Sequence, residues 1–256
     1  MNRQLTMRGR HFSTSLSSSL AHSSLYLLKY YIGIYSMFLS SLVLAQATHG
    51  GNFLDLSELQ VELSAANLQP AQQCTTLVEQ SDPNFSIISA TVGKPNDNTP
   101  AICIIHGFIK PKIQFVLKLP DTWNQRIYMH GNGGYGGQSV TGAYGTRLSN
   151  PALQEGFATL FTDTGHNRAD GHNASWAYND LEKEVDYGFR AVHLSIETAK
   201  RLIKTYYSKP ATYSYFDGCS GGGRQGLVAA QRFPDDFDGI AVGAPFYDLA
   251  GILMQY

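Results

Sequence analysis

The chain has 256 residues, 43% of them hydrophobic and only 15% charged, with a formal net charge of −1. That length suffices for one large domain with a buried core. The near-neutral balance gives no electrostatic footprint for nucleic acid or for an anionic membrane surface.

The N-terminus reads as a targeting segment. Arg3, Arg8 and Arg10 make a basic start, an apolar stretch runs from Tyr31 to Leu44, and Ala45-Gln46-Ala47 offers a signal-peptidase site. Residues 1–47 are therefore expected to be removed, leaving a secreted chain that starts near Thr48, extracellular or, in a bacterium, periplasmic. Met7 and Met37 are alternative starts. An uncleaved membrane anchor is the competing reading, but about 14 apolar residues are short for a span.

Residues 48–85 are polar and mixed, an N-terminal extension with short helical signals such as Leu56 to Leu59. Residues 86–256 carry the regular pattern. Ile87–Val92, Ala101–Phe108 and Ile113–Leu119 are rich in Ile, Val and Phe and bounded by Pro, Gly and Asn, which predicts strands. Arg126–Met129 and Phe157–Thr162 are two more, separated by a glycine-rich loop. Val185, Phe189, Val192, Ile196, Ala199 and Ile203 recur at alternating spacings of 4 and 3, one apolar helix face. A strand over Thr212–Phe216, a turn, a helix from Gly222 to Arg232 and a buried strand at Ile240–Val242 complete the series. The first half looks antiparallel. The second alternates strand and helix, as a parallel sheet with right-handed crossovers requires.

Gly218-Cys219-Ser220-Gly221-Gly222 matches G-x-S-x-G, with a strand before it and a helix after it, the context the motif needs. A sharp reversal there strains the serine backbone and exposes its hydroxyl, and glycines at 218 and 222 avoid collisions. The N–H of Gly221 opens the helix and can donate to an oxyanion. The plain alternative is a glycine-rich turn with a capping serine. Upstream, His130-Gly131-Asn132-Gly133-Gly134-Tyr135-Gly136-Gly137 follows a predicted strand, where a hydrolase of this kind takes its second oxyanion N–H. Gly133 and Gly134 are equal candidates. A flexible hairpin loop is one alternative; a phosphate loop is disfavoured because G-x-x-x-x-G-K-[ST] is missing.

The stretch from Tyr213 to Pro245, YSYFDGCSGGGRQGLVAAQRFPDDFDGIAVGAP, resembles the nucleophile block of the tannase/feruloyl esterase family. VDYGFRAVH, LPDTWNQRIYMHGNGGYGG and TDTGHN are similar to further blocks, in the family's order, over roughly residues 70–256. The resemblance implies an α/β-hydrolase fold with a partial mixed sheet, truncated before the lid and the C-terminal catalytic strands. It implies a secreted serine carboxylic-ester hydrolase for esters of hydroxylated aromatic acids, such as gallate, cell-wall ferulate or terephthalate half-esters. Ser220 would be the nucleophile, with Gly221 and Gly133 or Gly134 as oxyanion donors. The chemistry needs no cofactor; calcium is expected only in the family's lid, absent here. Small aromatic or polyphenol esters are the expected partners, with neither nucleic acid nor, after signal cleavage, membrane.

The resemblance also pairs Cys74 with Cys103, a loop whose closure is worth about 3–4 kcal/mol in the chain-entropy model. It places the partner of Cys219 just before the catalytic histidine. None of the eight histidines follows Ser220, whereas α/β-hydrolases order their triad Ser, acid, His. The sequence therefore predicts a fragment or truncated product without the triad Asp and His; a non-catalytic, hydrolase-like binding protein is the alternative. His130 and His166 are weighed as substitute bases, with structural roles preferred. His193 is expected to pack, Asp235, Asp236 and Asp238 to serve a turn, Arg224 to pair on its helix, and Asp248 is a minor candidate acid. Asp163, His166, Asp170 and His172 match no specific metal spacing.

Overall fold

The computed structural model describes residues 67–94, 101–168, 173–248 and 251. The expected signal segment lies outside the described residues. One compact unit runs from Ser64 onward.

Seven strands form one mixed sheet among the described residues: β1 (Phe85–Gly93), β2 (Ile102–Ile109), β3 (Ile113–Pro120), β4 (Arg126–His130), β5 (Ala158–Thr162), β6 (Tyr213–Cys219) and β7 (Gly239–Gly243). Their order is β1-β2-β3-β5-β4-β6-β7. The pairs β1/β2, β2/β3 and β3/β5 are antiparallel, while β4/β5, β4/β6 and β6/β7 are parallel. The division into an antiparallel and a parallel half thus matches the sequence pattern.

The helices that flank the sheet include α1 (Ala143–Gln154), α2 (Leu181–Val185), α3 (Ala191–Tyr207) and α4 (Gly221–Arg232). Strand alternation sends Phe115, Leu117, Ile127, Met129, Leu160 and Phe216 to one face, where Ile196, Ala199 and Ile203 of α3 and Ala229 of α4 meet them in the main core. On the opposite face a smaller cluster of Val116, Val140 and Phe161 sits under Tyr144 of α1.

Two sequence expectations need correcting, and one element is missing from them. Val185 and Phe189 do not continue the buried face of α3: a π-turn over Asp186–Arg190 adds a residue to the turn, and Asp186 is buried in their place. The strand at Ile240–Val242 exists but is not buried. It is the last strand in the order, and Val242 remains 38% exposed. Helix α1 is not announced by the sequence, because Gly145 and Pro151 lie inside it and two of its buried residues are Gly145 and Ser149.

Cys74, in a 3-10 turn (Cys74–Gln80), is disulfide-bonded to Cys103 of β2, with Cα atoms 5.5 Å apart. Both cysteines are buried in the main core. Replacing both by serine is expected to lower the unfolding free energy by about 3–4 kcal/mol. Urea denaturation of the oxidised wild type and the double variant checks this. Equal midpoints would remove the disulfide from the set of stabilising interactions.

Candidate active site

Neighbouring strands β4 and β6 send their chains in opposite directions. From β4 the chain turns through α1 to β5 on one side; from β6 it turns through α4 to β7 on the other. Such a reversal opens a crevice at the carboxyl ends of the two strands, the usual ligand position in an open α/β sheet. The glycine loop after β4 and the Ser220 turn after β6 both lie there.

Ser220 has φ 59° and ψ −118°, a backbone conformation costly for a residue with a Cβ. Hydrogen bonds hold it. Its N–H donates to the Gly243 carbonyl at 3.0 Å, and its carbonyl accepts from Arg224 N–H at 3.0 Å and Phe246 N–H at 3.1 Å. The reversal needs Gly218, where a Cβ would stand 2.4 Å from the Gly222 carbonyl oxygen. Ser220 is exposed, and its hydroxyl has no hydrogen-bond partner among the described residues.

The glycine loop packs backbone to backbone on this turn. A Cβ on Gly221 would fall 2.2 Å from the Gly134 carbonyl oxygen, and one on Gly131 would fall 2.8 Å from Gly222 Cα. Three buried side-chain amides clamp the contact. Gln225 Oε1 accepts from Asn132 N–H at 2.8 Å while its Nε2 donates to Asn132 Oδ1 at 3.3 Å. Asn132 Nδ2 donates to Gln138 Oε1 and the Thr162 carbonyl, each at 2.9 Å, and Gln138 Nε2 donates to the Gly133 carbonyl at 2.8 Å. The N–H groups of Gly133 and Gly134 are not taken by any backbone or side-chain acceptor among the described residues. Gly134 has φ +60° and open space where a Cβ would be; at Gly133 a Cβ would meet Tyr144 Oη at 3.1 Å. The sequence does not announce these amides, because buried Asn and Gln carry no periodic or motif signal.

The floor of the loop is the segment from Asp163 to His166. The Asp163 carbonyl accepts from Gly137 N–H at 2.9 Å, and its carboxylate accepts from Gln114 and Gly165 N–H, each at 2.9 Å. Burial nonetheless pushes Asp163 up to about 7; the two N–H bonds counter this, and the nearby Asp186 carboxylate adds to it. Asp186 is also raised by burial, against the opposing pull of Arg190. Its Oδ2 is buried without a hydrogen-bond partner among the described residues.

The histidines weighed as substitute bases are engaged elsewhere. His130 lies on the sheet face toward Tyr144, its Nδ1 3.3 Å from Tyr128 Oη and 3.7 Å from Asp217 Oδ2. Burial lowers its pKa, while Asp217 raises it. His166 is buried and stacked on Trp176 at 3.7 Å. His193 stacks on Phe233 and meets the buried Asp236 carboxylate at 3.0 Å, so Asp236 does more than serve a turn. Asp238 accepts from Ser214 N–H, and Asp248 caps a local turn by accepting from Gly251 N–H. Arg224 donates to the Tyr187 and Gly188 carbonyls and covers the Tyr187 ring, tying α4 to the π-turn. Cys219 is an exposed free thiol among the described residues. Asp170 and His172 lie outside the described residues. Within them, no three His, Cys, Asp or Glu side chains group together as a metal site.

A family profile described as "Tannase and feruloyl esterase" matches residues 102–255. A probable feruloyl esterase of Arthroderma benhamiae is 35% identical over 211 residues, covering 71% of this chain and 38% of that protein. The mono(2-hydroxyethyl) terephthalate hydrolase of Piscinibacter sakaiensis is 38% identical over 150 residues, covering 55% of this chain and 25% of that protein. Among solved structures, feruloyl esterase B from Aspergillus oryzae superposes with a TM-score of 0.56 at 32% identity, over 67% of this chain and 36% of that one. The chain thus spans about two-fifths or less of the length of these relatives.

The interior of the site has two measurable consequences. Asp163 is raised in the folded state, so its contribution to stability is fully present below the ordinary carboxylate pKa. That contribution is lost as pH climbs through about 7. The whole span is worth at most about 4 kcal/mol. Asp163→Asn, which keeps an acceptor for both N–H donors, is expected to flatten the fall of the urea midpoint between about pH 5 and pH 8. Parallel pH profiles for wild type and variant would sink the assignment. In turn, Gln225→Leu strands the Asn132 N–H and Oδ1 and is expected to cost about 1–3 kcal/mol. It should also speed amide exchange at Gly133 and Gly134; exchange unchanged at both glycines would show that Gln225 does not hold the loop.

Proposed function

The chain belongs to the tannase and feruloyl esterase family, and from that premise we propose that Ser220 is the nucleophile of a secreted carboxylic-ester hydrolase acting on esters of hydroxylated aromatic acids. The observation that carries this reading is the strained, exposed Ser220 with the 132–134 backbone packed against Gly221. Ser220 Oγ attacks the ester carbonyl, and the carbonyl oxygen gains negative charge. The N–H of Gly221, with that of Gly133 or Gly134, faces that charge from fixed positions. Such donors need no reorganisation during the reaction, and each is worth roughly 10²–10³ in rate. The Ser220 hydroxyl proton passes to solvent, collapse expels the alkoxide, which takes a proton from solvent and leaves as the alcohol, and water then attacks the acyl-Ser220 carbonyl, releasing the acid and restoring the hydroxyl.

The relatives' names support the substrate class: one is a feruloyl esterase, one a probable feruloyl esterase and one a mono(2-hydroxyethyl) terephthalate hydrolase. Secretion is supported by the basic and apolar N-terminal pattern and by the Cys74–Cys103 disulfide, a bond favoured in oxidising compartments. Among the described residues the reading supplies a nucleophile and oxyanion donors but no base, since Ser220 Oγ has no histidine partner there. The same observation favours a second reading, a hydrolase-like binding protein.

A fluorophosphonate probe separates the two. Under the first reading it labels the folded chain at Ser220, slowly, and Ser220→Ala abolishes the adduct. A chain that is folded by circular dichroism yet takes no label supports the binding protein. Hydrolysis of methyl ferulate is expected about 10⁶-fold below that of an enzyme with an intact triad. Turnover at the intact rate would show that a base reaches Ser220 after all.

A further inference from the structure

On the α1 face, at the antiparallel end of the sheet, lies a cavity of about 450 Å³ whose charged lining, among the described residues, is of one sign. Strands β5 and β4 separate this end from β6 and Ser220. The β2/β3 register sets Ile104 opposite Lys118 and His106 opposite Val116, and all four side chains line the cavity. Lys94 and, from α1, Thr146 and Asn150 line it too. No carboxylate is among the described lining residues.

Lys118 is the unusual member. It is only 8% exposed, in the middle of β3. Among the described residues its ammonium reaches just two hydroxyls, Thr146 Oγ1 at 3.4 Å and Ser149 Oγ at 3.5 Å, both at the long limit of a hydrogen bond. Burial depresses its pKa, and no described carboxylate stands near enough to restore it. The Lys118 charge in turn depresses His106, after burial. A buried ammonium without a counter-charge is costly, and buried charges are ordinarily paired. The cavity leaves room for a counter-charge beside it.

We propose that this cavity binds a small organic monocarboxylate, with the carboxylate on Lys118 and Thr146 and the apolar body on Ile104 and Val116. The volume falls within the range of roughly 300–1,000 Å³ typical of small-ligand sites. The buried Lys118 ammonium with neutral hydroxyl and amide donors suits one carboxylate, Lys94 being exposed to solvent, and the Ile and Val floor suits an apolar body. Among the described residues no group of three or more His, Cys, Asp or Glu side chains stands here to hold a metal cation. The site is independent of the Ser220 chemistry and stands whether or not that reading does.

The test is calorimetric titration of the full chain with sodium benzoate, and with benzamide as the uncharged match. Saturable benzoate binding is expected, at least 10-fold tighter than benzamide. It should weaken at least 10-fold in Lys118→Met and several-fold in Asn150→Ala, and persist in Ser220→Ala. Asn150→Ala and the benzamide comparison decide the matter if Lys118→Met fails to fold. Equal binding of benzamide, loss of binding in Ser220→Ala, or no saturable heat at about 10 mM benzoate, the weak end of specific recognition, would overturn the proposal. So would a benzoate-insensitive dimer that Lys118→Met dissolves, since a second copy would then occupy this face.

Discussion

The contact between the backbone of residues 131–134 and the first turn of α4 constrains everything around it. A single methyl group on Gly131, Gly218 or Gly221 would stand under 3 Å from main-chain carbon or oxygen. Main chain does not yield as a flexible side chain does, so these are positions where only glycine fits. The approach also leaves polar main-chain groups between the two segments that need partners. The Gln225–Asn132–Gln138 amides meet part of that need, and they do so from buried positions that water does not reach. The loop and the helix start are therefore a single rigid unit rather than two neighbouring loops.

Sheet topology supplies the place for that unit. Because β4 and β6 are adjacent and parallel, His130 pairs with Asp217 at the end of the ladder. The Gly131 N–H continues it by donating to the Asp217 carbonyl at 2.8 Å. The two chains then separate in opposite directions and leave their ends open. Strain at Ser220 is sustainable because it is over-determined: β7 takes its N–H, and both α4 and the following segment donate to its carbonyl.

What the sequence discloses follows from the length scale of each signal. Strand alternation, the α3 face from Val192 to Ile203 and the strand–turn–helix context of G-x-S-x-G are local, and they read correctly from residue order. The disulfide is legible through resemblance alone, since spacing does not choose a partner for a cysteine. The π-turn escapes periodicity because it breaks the period at Asp186. Helix α1 escapes it because Gly145, Ser149 and Lys118 interlock across a sheet face, an arrangement with no footprint in a window of neighbours. The raised Asp163 is invisible for the same reason: Gln114, Gly165 and Asp186, which set its environment, are spread over many residues of chain.

The two faces of the sheet carry different burdens. Aliphatic and aromatic side chains of α3 and α4 close the first, where Ile105, Phe115, Leu117, Ile127 and Met129 are wholly buried. Burial of this kind, at about 25 cal/mol per Å² of apolar surface, is the main source of folding free energy. The second face has only a small apolar cluster and carries the unusual polar groups: Lys118, His106, and the Tyr128–His130–Asp217 group. Stability and chemistry are thus separated by the pleat, since residue i serves one and residue i+1 the other. That separation allows a strained serine and a buried ammonium with no counter-charge among the described residues to persist in the same sheet.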